Sequence, residues 1–185
     1  MDKKAAILDA TLKLVTSRGL YDTPMAQVAK DAGVAAGTIY HYFNNKENLI
    51  LELFLDAKLK MKSELENRYD PDRKFQESFA QFWKNMFTFY IKNPLLFQFI
   101  EQFENSPFYQ KVDKEEIISS YQIITDFLAQ GIKEKTLKSI EVPMMISMLN
   151  GSITALAKMH LSGLLIIDSS RLYKAIEVSW NGLKD

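Results

Sequence analysis

Apolar residues recur at three- and four-residue intervals along most of the chain, and no stretch alternates residue by residue as a half-buried strand would. From Lys3 to Arg18, the residues Ile7, Ala10 and Leu14, flanked by Ala6, Leu8 and Val15, predict an amphipathic helix that Gly19 closes. Thr23 suits an N-cap, and Pro24 suits the first helical position, where its missing N–H is not needed. A short helix follows with Met25, Val28, Ala29 and Ala32 on one face; Gly33 supplies the left-handed residue that ends it, and another short helix runs from about Ala35 to Phe43. Asn45 can cap a longer helix beginning at Lys46, whose inward positions are Leu49, Ile50, Leu53, Phe54, Ala57, Met61 and Leu65. Tyr69-Asp70-Pro71-Asp72 punctuates its end.

Beyond Pro71 the pattern becomes strongly aromatic. Asn93-Pro94 and Ser106-Pro107 cut this part into a long helix, a shorter one and a loop. Asp113 to Glu116 reads as a capping box opening a helix with Ile117, Tyr121, Ile124, Leu128 and Ile132 inward. A methionine-rich helix spans about Val142 to Leu161, and a last one after Asp168 places Leu172, Ile176, Trp180 and Leu183 on one side. The fold class predicted is all-α: a three-helix unit over residues 1–46, a connector helix over 46–69, and a bundle of about six helices over 70–185.

Composition narrows the function. Lys and Arg number 23 and Asp and Glu 23, so no net field draws the whole molecule onto nucleic acid or an anionic membrane; any DNA binding is local. There is no cysteine, which excludes disulfides and thiolate metal sites and fits a reducing cytoplasm. Asp2, Lys3, Lys4 and Asp9 around a short apolar pattern do not read as a signal peptide, and no apolar run approaches a membrane span. The two histidines, His41 and His160, lack a partner pattern for a metal site or a triad. With no phosphate loop and no nucleophile elbow, the reading is a cytoplasmic protein that is not an enzyme and carries no metal or cofactor.

The chemistry lies between Thr23 and Lys46. Two short helices joined by a tight turn present the second to a DNA major groove. On it, Thr38 offers a methyl and a hydroxyl to base edges, and His41 can donate or accept there. Gly37 permits close backbone approach, Tyr42 and Lys46 suit phosphates, and Thr23 can add its hydroxyl to another phosphate. Ile39 and Phe43 are assigned to the core, and so is Tyr21.

The run from Ala29 to Leu49, with Gly33-Val34, Gly37-Thr38, Tyr40-His41-Tyr42-Phe43 and Lys46-Glu47, resembles the DNA-binding signature of the TetR family of bacterial transcriptional regulators. The resemblance covers roughly the first quarter of the chain. It implies a homodimer on a double-stranded DNA operator, and it puts Tyr40 near the DNA as well. Two positions depart from the family pattern: Ala35 stands where serine is common and Ala36 where a larger polar residue is frequent.

For the body, rings crowded among helices leave room for an apolar small molecule. Candidate lining residues are Phe79, Phe82, Trp83, Phe87, Phe99, Phe103, Tyr121 and Met148. Glu101 and Glu104, set among aromatics, are either partners for a cationic ligand or an ordinary amphipathic edge. Ile153, Leu156, Leu172, Ile176 and Trp180 on the last two helices are candidates for a four-helix dimer interface, which the resemblance also implies. The function expected is a ligand-responsive repressor released from a palindromic operator by an apolar or amphipathic effector. The alternative is a helical lipid or small-molecule carrier that does not read DNA.

Overall fold

A computed structural model describes residues 2–67, 69–70 and 72–185, so Pro71 of the expected break lies outside the described residues. Among these residues there are ten α-helices and one 3-10 turn, and no strand beyond a single antiparallel bridge between Leu137 and Lys184. The all-α expectation holds. The chain forms two compact units, one of Met1–Leu59 with Asn93–Ile117, the other of Lys60–Lys92 with Ile118–Asp185.

The first unit holds α1 (Lys3–Arg18), α2 (Met25–Asp31), α3 (Ala36–Tyr42), the first part of α4 (Lys46–Glu66), α6 (Pro94–Glu104) and the 3-10 turn (Pro107–Lys111). Asp2 caps α1 by accepting from the Lys4 and Ala5 N–H groups at 3.0 and 3.3 Å. The turn after α2 is a Schellman motif: Gly33, at φ 67°, donates to the Lys30 carbonyl and Val34 to that of Ala29. α1 packs on α2 and on α6. Ile7, Val28, Ile39, Phe43, Ile50 and Phe54 are fully buried, and so are Phe99 and Phe103 of α6. Each large side chain removed from water in this way contributes about 1.5–3 kcal/mol. The Phe54 and Phe103 rings stack with centroids 4.1 Å apart.

This differs from the expected division of the chain. Asn93–Ile117, placed with the body on its aromatic content, forms part of the core of the N-terminal unit instead. Proline at the start of α6 and Leu96, Phe97, Phe99, Ile100 and Phe103 on its buried side make a strongly amphipathic helix. Its apolar face is used against α1 and α4 residues.

The second unit holds the end of α4, α5 (Phe75–Lys92), α8 (Gln122–Lys133), α9 (Val142–Leu161) and α10 (Ser169–Leu183). α5 packs against both α9 and α10, and α8 against α9. The buried Asn85 amide donates to the Glu64 and Asn67 carbonyls at 2.9 and 2.8 Å, closing the open end of α4 from the side. The single helix expected after Asp113 is broken into α7 (Lys114–Ser120) and α8 at Tyr121, where φ is −110° and ψ 7°. The Tyr121 N–H turns to the Ile118 carbonyl three residues back, tightening the last turn of α7. The chain passes from one unit to the other at Ile117–Ile118, inside α7 and three residues before the break. Gly131 is packed so closely that a Cβ there would lie 2.4 Å from the Phe75 ring.

Candidate nucleic-acid interface and body cavity

α3 is short and two-sided. Ile39 and, just past its end, Phe43 are buried one turn apart and fix the helix to the first unit. Ala36, Gly37, Tyr40, His41 and Tyr42 are exposed, and Thr38 is half-buried. Tyr40 and Tyr42 remain 56% and 41% exposed, large aromatic side chains that the fold leaves substantially in solvent. The His41 and Tyr42 rings meet edge to face with centroids 5.3 Å apart, so each restrains the other. Ala35 takes the N-cap position with φ −65° and ψ 146° and, lacking a side-chain oxygen, makes no cap bond. The missing serine of the sequence comparison therefore leaves the N–H groups at the start of α3 without a side-chain acceptor.

Thr23 departs from expectation on both counts. Pro24, not Thr23, is the N-cap of α2, and the Thr23 hydroxyl donates 2.9 Å backward to the Gly19 carbonyl. It is 1% exposed, so it ties the α1–α2 joint together and presents no hydroxyl for a phosphate. Tyr21, assigned to the core, is 68% exposed, with one face against Phe108 of the 3-10 turn at 5.4 Å.

Lys46 is half-buried, and its ammonium donates to the Tyr21 carbonyl at 2.5 Å. An ammonium has three donors, so this bond positions the group and leaves it able to meet a phosphate. Asn45 accepts from the Asn48 N–H at 2.8 Å, capping α4 as expected, while the Asn48 side chain accepts from the Asn44 N–H. Beside them Glu47 pairs with Lys111 at 2.8 Å. Nothing in the sequence joins Lys111 to this corner, because the contact spans more than sixty positions and leaves no periodic trace.

In the second unit, α5, α8 and α9 flank an apolar pocket that opens to solvent, with about 490 Å³ of empty space including that open to solvent. Of the expected lining residues, Phe79, Phe82, Trp83 and Tyr121 surround it; Phe87, Phe99, Phe103 and Met148 do not. Phe87 is buried beside Trp83 and His160, Phe99 and Phe103 belong to the first unit, and Met148 is 53% exposed. Leu65, Met86, Ile124, Ile146, Leu149, Asn150 and Ile153 also line it. The one amide in that wall, Asn150, accepts from the Tyr90 hydroxyl at 3.1 Å, and the Trp83 indole N–H donates to Ser179. Among the described residues, no charged side chain lines the space. Glu104 is not there either: its carboxylate pairs with Lys58 in the first unit.

The five residues assigned to a dimer interface divide. Ile153 and Trp180 are buried within the chain, the first in the cavity wall and the second against Phe75 and Phe79; Leu156, Leu172 and Ile176 are half-buried. The exposed apolar residues of α9 and α10 are instead Met144, Met148, Leu161, Tyr173 and Val178. Helical spacing did not show which apolar stripe of α9 and α10 faces inward, since each helix carries more than one.

Comparison with known proteins covers both parts of the chain. Residues 7–53 match the family described as bacterial regulatory proteins, tetR family, and residues 74–184 match the tetracyclin repressor-like C-terminal domain. An uncharacterized HTH-type transcriptional regulator of Haemophilus influenzae is 38% identical over 114 residues, 61% of this chain and 60% of that protein. The chain thus spans less than two thirds of that relative's length. The crystal structure of a putative tetR family transcription regulator from Shewanella superposes with a TM-score of 0.90 at 25% identity, covering 100% of both chains. The transcriptional regulator FadR of Bacillus subtilis, solved in complex with stearoyl-CoA, shares the fold with a TM-score of 0.81 at 23% identity, over 96% of this chain and 98% of that one. These are names of transcriptional regulators and not of enzymes, in line with the reading of the sequence. With its reader helices and its helical body each matched, the chain belongs to the TetR family of bacterial regulatory proteins.

Proposed function

We infer that the chain is a ligand-responsive DNA-binding transcriptional regulator, a repressor that an apolar or amphipathic small molecule releases from its operator. The observation that carries this reading is the two-sidedness of α3, anchored by Ile39 and Phe43 while Gly37, Tyr40, His41 and Tyr42 stand in solvent. A helix so displayed fits a major groove: His41 and Thr38 meet base edges, and Tyr42 and Lys46 hold phosphates. The protein works in the cytoplasm, where its operator is.

It acts as a homodimer whose reader helices enter successive major grooves, about 34–36 Å apart, on a palindromic site. The exposed Met144, Met148, Tyr173 and Val178 support a self-complementary face on α9 and α10, bordered by Leu156, Leu172 and Ile176. The effector occupies the cavity beside Phe79, Phe82, Trp83 and Tyr121, whose apolar lining suits a hydrocarbon portion. The stearoyl-CoA bound by the Bacillus subtilis regulator, a long apolar chain on a polar head, is the kind of molecule meant. Such a ligand acts only through unequal affinity for the DNA-competent and released states, with a usual coupling of about 1–3 kcal/mol.

Titration of the protein onto its own upstream DNA at several salt concentrations tests the reading. A regulator binds tightly, selectively and with strong salt dependence; the carrier alternative gives only weak, unselective association. Lys46→Ala or Tyr42→Phe weakens binding to every sequence, and His41→Ala changes which sequence is preferred. A His41→Ala protein with unaltered affinity and preference refutes the role given to that side chain.

A further inference from the structure

The first unit contains nine Lys and Arg residues against twelve Asp and Glu, so the part of the molecule carrying α3 is net negative by three charges. A DNA-binding surface on such a unit has to silence the carboxylates nearest the phosphates. Glu47 is the acidic residue beside Lys46, and its carboxylate lies 2.8 Å from the Lys111 ammonium, which the 3-10 turn brings in from far along the chain. Both side chains remain about half in solvent, 54% for Lys111 and 47% for Glu47. The turn itself is held in place: Phe108 packs on Tyr21, whose carbonyl holds Lys46, and the Lys111 ammonium sits 5.9 Å from the Phe108 ring centroid.

We propose that Lys111 is a DNA-backbone contact contributed from outside the helix-turn-helix, its ammonium bridging Glu47 and a phosphate at the start of α4. Three donors let one ammonium hold a carboxylate and a phosphate oxygen together. Two effects reinforce each other here. The cation adds attraction for the phosphate, and by neutralising Glu47 it removes a negative charge that would repel that phosphate. Because a phosphate contact carries no base information, Lys111 adds affinity without altering sequence preference. The inference rests on the regulator reading above.

The test measures fluorescence anisotropy of the full-length protein on a duplex of its own upstream DNA and on a scrambled duplex, from low to physiological salt. Lys111→Gln weakens both duplexes by the same factor and lowers the slope of log K against log salt by about 0.9, the value for one lost phosphate contact. Glu47→Gln strengthens binding to both, and Lys111→Arg restores the wild-type slope. If Lys111 only staples the turn, Lys111→Gln lowers the thermal midpoint or the affinity while the salt slope stays as in wild type, and the proposal is overturned. Wild-type protein that binds neither duplex overturns the regulator reading, and this inference with it; wild-type binding with an unchanged slope in Lys111→Gln overturns this inference alone.

Discussion

The Lys58 ammonium and a Glu104 carboxylate oxygen lie 2.7 Å apart, joining α4 to α6 across 46 positions of sequence inside the first unit. The lysine side chain is only 5% exposed and the glutamate 30%, and the ammonium also stands 5.0 Å from the Phe54 ring centroid. Removing Glu104 takes away a close partner of a charge already withdrawn from water. Glu104→Ala is expected to cost about 3 kcal/mol in urea unfolding, whereas Lys58→Met with Glu104→Leu comes out near neutral or more stable. A double-mutant cycle in which the two changes simply add would show that the pair does not interact.

Gly37 gives a clean separation of stability from function. A Cβ built there meets nothing within 4 Å of the rest of the protein, and the residue is helical with ordinary φ. Gly37→Ala should therefore raise the stability of the free protein by roughly 0.5–1 kcal/mol. The same methyl group projects from the exposed side of α3 and should weaken DNA binding. Thermal melting and anisotropy on one preparation read both effects, and loss of stability would show that the site is more crowded than its surroundings indicate.

Ala35→Ser restores an oxygen at the uncapped start of α3. A serine N-cap is worth about 1 kcal/mol over alanine, so the thermal midpoint should rise. Hydrogen exchange at the amides following position 35 locates the gain; no added protection there would mean that the hydroxyl points elsewhere.

Filling the cavity should uncouple effector from operator. Leu149 and Ile153 line it from α9, and Leu149 is half-buried, so Leu149→Phe adds bulk where the wall has room to yield. The expected protein binds operator like wild type but no longer binds an apolar dye such as ANS. Undiminished dye binding would move the effector site away from this space.

The α10 cap makes a pH-dependent contribution. The Arg171 backbone N–H, donating to the Asp168 carboxylate at 2.9 Å, holds that carboxyl below the ordinary carboxylate value. A depressed folded value means that the contribution is complete above the unfolded value of about 3.9 and is lost as pH falls through the folded one. The melting-temperature gap between wild type and Asp168→Ala should be constant at neutral pH and narrow below about pH 4. A gap that widens in acid would reverse the sign.

What the sequence disclosed was local. Gly33 closing α2, Asn45 opening α4 and Asp168 opening α10 are settled by bonds within a few residues, and each stands where its side-chain chemistry predicts. Phe99 and Phe103, expected in the wall of a ligand site in the body, are buried in the N-terminal unit instead, because an apolar stripe does not say what it packs against. The same ambiguity put Ile153 and Trp180 on an outer face when both point inward. At Tyr121 the helical pattern runs on uninterrupted while the backbone breaks, because the demand comes from packing and not from any residue's own preference. Thr23 misled for a simpler reason: a hydroxyl serves a carbonyl behind it as readily as an amide ahead, and here Gly19 was the available partner.

The segment Asn93–Ile117 carries a practical lesson for anyone building chimaeras. Fusing the first 59 residues to a foreign body would leave the Phe54 ring without the Phe103 and Tyr109 rings that pack on it. A transplant that keeps its operator must bring this second piece along, so exchanging specificities within such proteins means cutting and rejoining the polypeptide in three places.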